Sequence, residues 1–90
     1  DDPYAAHYLQ AEVQIMARDP IALETARAQM PRIRNSLLML FGQQKPADLS
    51  TREGKERLQT AALVEVQKVM QSETGKPVVE AVYFTSFVMQ

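Results

Sequence analysis

The sequence predicts an α+β fold in the order strand, kinked helix, helix, strand, and three observations carry that reading. Apolar residues alternate along 7–17, recur with helical spacing from 20 to 71, and return to an extended, β-branched and aromatic composition over 78–89. With 46% hydrophobic residues in a chain of 90, there is enough apolar surface for one core and one domain, 1–90.

In the first segment the odd positions His7, Leu9, Ala11, Val13, Ile15 and Ala17 alternate with Gln10, Glu12, Gln14 and Arg18, as in a half-buried strand. Asp19 then supplies a side-chain acceptor for a helix N-cap, and Pro20 follows where its missing N–H is harmless. Leu23, Ala26, Met30, Ile33, Leu37 and Leu40 recur at spacings of 3, 4, 3, 4 and 3, one continuous apolar stripe. Pro31 interrupts it, which predicts either a kink at Met30–Pro31 or two abutting helices that share a face. Gly42 to Leu49 reads as a loop.

Ser50-Thr51-Arg52-Glu53 has the pattern of a capping box, with Ser50 accepting from the Glu53 amide and the Glu53 side chain reaching back. The long helix it opens carries the stripe Leu58, Ala62, Val66, Val69, and Gly75-Lys76-Pro77 ends it between 71 and 74. Val78 to Met89 is apolar on both parities, which predicts a strand covered on both faces. At ~3.3 Å per residue each strand spans roughly 35–40 Å, and two such strands alone make a poor sheet with open edges. A further strand, a partner strand or both are expected.

Little in the chain suggests catalysis. His7 is the only histidine, there is no cysteine, and the three glycines form no phosphate loop. Ten basic against eleven acidic residues leave a net charge of −1, which disfavours nucleic acid as a partner. No metal and no cofactor are expected. Glu65 borders the long helix's apolar stripe, where Lys68 is its local partner, and the five methionines read as core filling. Arg27 and Arg34, seven apart, share one flank of the first helix with Leu38, whereas Arg32 points away from the stripe. Arginine beside apolar side chains suits a contact surface.

Three segments in this order, "MPRIRNSLLMLF" at 30–41, "LSTREGKERL" at 49–58 and "VYFTSFVMQ" at 82–90, resemble the flagellar basal-body-associated FliL family over nearly the whole chain. The resemblance implies a stomatin-like periplasmic domain, lacking here an N-terminal strand and a transmembrane helix. It also implies a bacterial inner-membrane, single-pass protein at the flagellar basal body. Such a protein forms a homo-oligomeric ring and associates with flagellar stator proteins. It supports motor torque, motility and swarming and is not an enzyme. The matching residues are Pro31, Arg32, Ile33, Arg34 and Asn35 in the helix motif, Thr51, Glu53 and Gly54 at the cap, and Phe84, Thr85 and Gln90 in the last strand. Arg27, Arg32, Arg34, Asn35 and Leu38 are the interface candidates, and Ile33, Leu37 and Phe84 are expected in the core. The alternative is a periplasmic peptide-binding domain that uses an open strand edge.

Overall fold

The structure is a computed structural model and describes residues 8–90. Its elements are β1 (Leu9–Ala17), α1 (Pro20–Ala28), α2 (Met30–Gly42), α3 (Pro46–Leu49), α4 (Arg52–Thr74) and β2 (Val79–Met89). The two strands pair antiparallel, and the chain is α+β in the predicted order. His7, read as the start of the first strand, lies outside the described residues.

Asp19 caps α1 as expected: its backbone is extended and its Oδ1 accepts the Ala22 N–H at 2.8 Å, with Pro20 in the first turn. The interruption at Pro31 takes the form of two abutting helices. Gln29 is the joint, with φ −100° and ψ 12°, and its carbonyl receives the Ile33 N–H at 3.0 Å. Pro31 thereby falls in the first turn of α2, where no N–H is needed. The stripe still runs through the joint, since Ala26, Ile33 and Leu37 are buried on one side.

Three expectations need correction. The segment 42–49 is not all loop: α2 extends through Gly42, and Pro46 opens the short helix α3, whose Leu49 is buried. The cap of α4 is shifted by one residue from the capping box. Thr51 accepts the Gly54 N–H at 3.0 Å, while the Ser50 hydroxyl turns back to donate to the Ala47 carbonyl at 2.8 Å. The turn of α3 holds Ser50 in helical backbone, so Thr51 is the first extended residue able to cap.

The third correction concerns β2, which is covered on one face. Its pairing with β1 slips at two points, opposite Glu12/Val13 and Met16/Ala17, where Thr85 and Glu80 are the extra residues. Each bulge switches the parity that faces inward. Val79, then Val82 and Phe84, then Phe87 and Met89 all oppose the inward residues Ala17, Ile15, Val13, Ala11 and Leu9. Apolar residues on both parities therefore serve one face, and Tyr83 and Val88 on the other are exposed.

The core lies between α2, α4 and β2, with Ile33, Ala62, Val66, Met70, Val79 and Val82 at 2% exposure or less. Burial of these apolar side chains drives the packing at roughly 25 cal/mol per Å². Among the methionines, Met16 and Met39 are exposed and fill no core. α4 ends at Thr74 within the expected range, on Gly75 at φ 80°, a left-handed cap that glycine adopts without strain. Val78 also has a positive φ, 61°, and the Val79 N–H donates to the Pro77 carbonyl at 2.6 Å, closing a γ-turn ahead of β2.

Candidate interaction surface

The sheet's two edges are treated differently. α4 runs beside β2, and its side chains reach the strand. Gln67 Nε2 donates to the Val79 carbonyl at 2.9 Å, Gln59 Nε2 donates to the Val82 carbonyl at 2.8 Å, and Lys55 Nζ stands 5.5 Å from the centre of the Phe87 ring. Amides on the outward carbonyls and a lysine beside the strand are devices that blunt a sheet edge. Sequence reasoning missed both glutamines. Their signal was position: each directly follows a buried stripe residue, Leu58 or Val66, so each borders the face that packs on β2.

Among the described residues, no strand or helix pairs with the outer edge of β1. Tyr8 and Gln90 exchange both backbone hydrogen bonds, at 2.9 and 2.8 Å. In an antiparallel ladder such pairs alternate with pairs whose N–H and C=O point outward, so Leu9 and Ala11 turn theirs away from β2. Beyond the bulge, the outward carbonyls of Val79 and Val82 give the same phase to their partners Ala17 and Ile15, and Val13 follows. A groove of about 880 Å³ separates this edge from α1 and α2, with Leu23, Met30, Leu38 and Phe41 among its lining. Leu9, Leu38 and Phe41 also line a second cavity, about 320 Å³, at the Met89 end, so the two cavities together border β1 from Leu9 to Ile15.

The interface candidates divide among three surroundings. Arg27, Arg34 and Leu38 line the β1 groove; Arg27 also pairs with Glu24 at 2.9 Å, and Leu38 is 70% exposed. Arg32 does not point away from the packed face: it pairs with Glu73 and ties α2 to α4. Asn35 lines a cleft of about 460 Å³ between these helices with Ser36 and Glu65. There the Ser36 hydroxyl is 3.5 Å from the Glu65 carboxylate, which Lys68 approaches at 3.7 Å.

The motif residues take up positions in the scaffold. Ile33 and Leu37 are buried, and Phe84 is half-buried in an edge-on contact with Phe41, ring centres 6.0 Å apart, and a tilted one with Phe87 at 5.5 Å. Gly54 is buried, and a Cβ there would overlap the Asp48 carbonyl, so only glycine lets α3 lie on the first turn of α4. Glu53 is exposed in that turn, where a carboxylate favours the helix N-terminus. Thr85 is a bulge residue with its hydroxyl 3.5 Å from the Glu12 carbonyl, and Gln90 closes the ladder on Tyr8.

Among the described residues, no group of three or more His, Cys, Asp and Glu is arranged to hold a metal ion, and no helix is long and apolar enough to cross a membrane. Comparison with known proteins gives one family over the entire chain. The family model described as flagellar basal body-associated protein FliL matches residues 1–90. The chain is also similar to the flagellar protein FliL of Aquifex aeolicus (strain VF5), 31% identical over 98 residues, with 100% of this chain and 58% of the relative covered. It spans, then, little more than half the length of that curated relative. The segments at 30–41, 49–58 and 82–90 and the match over 1–90 agree: this chain belongs to the flagellar basal body-associated FliL family.

Proposed function

We propose that this chain is a single, non-enzymatic domain of the bacterial flagellar motor. It stands in the periplasm and is tethered to the inner membrane by a helix outside these residues. It assembles with like copies into a ring and associates with stator units, supporting torque, motility and swarming. The observation that carries the reading, beyond family membership, is the exposed Arg27, Arg34 and Leu38 flank of α1 and α2. These side chains add little to the core, whereas arginine beside aliphatic carbon suits a protein contact. Membrane tethering raises the effective concentration of neighbouring domains, so contacts too weak to hold in dilute solution suffice in the ring.

The test is rotation speed at low and high viscous load in a strain deleted for the full-length gene, complemented with wild type or Arg34→Glu. Loss of speed mainly at high load, restored by wild type and not by Arg34→Glu, is the expected outcome. Equal torque at every load with and without the gene removes the motor role.

A further inference from the structure

We infer that two opposite faces of the domain are the two halves of a contact between like copies: the outward side of α2 on one copy packs on the outer face of the β1–β2 sheet of the next. The inference rests on the reading of this chain as a ring-forming domain and names the surfaces that would meet.

The outward side of α2 is uncharged where a solvated helix carries charge. Pro31, Asn35, Leu38 and Met39 recur there at intervals of 4, 3 and 1, opposite the buried Ile33 and Leu37, and Leu38 and Met39 are 70% and 63% exposed. The corresponding side of α4 holds Glu53, Arg57 and Lys68. The outer face of the sheet is the second such surface. Tyr8, Met16, Tyr83 and Val88 stand exposed on it, and the Tyr8 hydroxyl donates to Gln10 Oε1 at 3.1 Å along the same face. The core and the helices lie on the other face, and a strand added at the β1 edge extends the sheet in its own plane, so it would cover neither patch.

Charge selects the arrangement. Arg34 borders the α2 patch, and Glu12 is the one charged residue at the outward ladder positions of β1 and β2; neither forms an ion pair among the described residues. Past Met16, Arg18 and the bulge residue Glu80 cancel in charge. Arg32, at the other border of α2, is held by Glu73, and Arg27 by Glu24. Two-fold pairing of α2 with α2 would set Arg34 near its own image, and two-fold pairing of the outer sheet faces would do the same to Glu12. Only the contact of unlike faces brings the acid to the base. The spacings agree: with Arg34 over Glu12, Leu38 lies about 6 Å along the helix, and Tyr83 and Val88 lie about 7 Å along the strands on either side. Because the two faces are on opposite sides of one domain, each copy can hold two neighbours, and the contact repeats until the assembly closes.

The probe is cross-linking, in the membranes of cells that make it, of full-length protein whose only cysteines are Asn35→Cys and Ser86→Cys. Asn35 follows Arg34, and Ser86 opposes Glu12 on the ladder. A short bismaleimide should join the double variant into a ladder of dimers, trimers and larger species. Each single variant should stay monomeric, because like positions on neighbouring copies stand one domain thickness apart, and a mixture of the two single variants should stop at dimers. Adding Glu12→Arg to the double variant should lower the multimer yield at least about fivefold, and adding Arg34→Glu to that should restore it. The variants should keep the circular dichroism of the wild type, and Gln10→Cys, on the same sheet face, replaces Ser86→Cys if that substitution fails to fold.

A dimer from Asn35→Cys alone means that α2 meets α2, a dimer from Ser86→Cys alone means that sheet meets sheet, and either overturns the inference. A ladder that Glu12→Arg leaves intact overturns the pairing of Arg34 with Glu12. Multimers of the wild type with a lysine cross-linker, but none of the double-cysteine variant with the bismaleimide, overturn the two faces and leave the ring standing. No multimers with either reagent remove the ring itself, and the inference falls with it.

Discussion

β1 and β2 share one ladder yet live in different surroundings. β2 has Val79 and Val82 fully inside and α4 at its side; β1 alternates half-buried with exposed along its whole length, and its far edge faces a groove. The difference shows that hydrophobic alternation specifies which face of a strand is inward. What covers that face and closes the edge depends on distant elements.

The comparison can be broken or sharpened by substitution. The largest effect is expected on α2, which faces both regions. Ile33→Asp, a charge placed in the core, should leave the chain unfolded by circular dichroism, whereas Leu38→Asp on the groove side should leave it folded. Unfolding by both would erase the distinction between a sealed half and an open rim. Next come two opposed residues, Val82 and Ile15. Val82→Ala should cost about 2 kcal/mol in urea denaturation, and Ile15→Val, which also shortens a side chain but on the half-buried strand, only about 0.5 kcal/mol.

Gln59→Ala should cost about 1 kcal/mol by the same measurement, because it leaves the Val82 carbonyl without its amide partner. A cost of zero would mean that water replaces the glutamine and that the β2 edge is less sealed than its geometry indicates. The smallest effect is expected at Val78, where a β-branched residue at positive φ stores roughly 1–3 kcal/mol of strain. Val78→Gly should be within about 1 kcal/mol of wild type, since relief of strain offsets the lost packing and the added freedom of the unfolded chain.

Much of the fold was legible because local rules dominate where they were applied. Asp19-Pro20 starts a helix wherever the next turn is apolar on one side, and Gly75 ends one because its backbone is left-handed. The errors came from coupling between neighbours. Ser50 matches the capping pattern as well as Thr51 does, but α3 consumes its backbone, and α3 itself was hidden because four residues show no period. The parity switches in β2 cannot be seen without β1, as a bulge is a property of a pair. At the candidate surface, Arg27, Arg34 and Leu38 were brought together as their spacing implied. Arg32 was drawn to Glu73 by a helix crossing that no single-helix projection contains.

The amide caps of Gln59 and Gln67 have a consequence for valency. In polymer terms a monomer with two reactive ends makes chains, and a monomer with one makes only pairs. α4 occupies one end of this sheet, so strand addition at β2 is blocked and pairing cannot propagate from sheet to sheet into a fibre. A closed ring, by contrast, requires two complementary patches on every subunit. One sheet edge cannot supply both, so at least one contact of any ring built from this domain uses another surface.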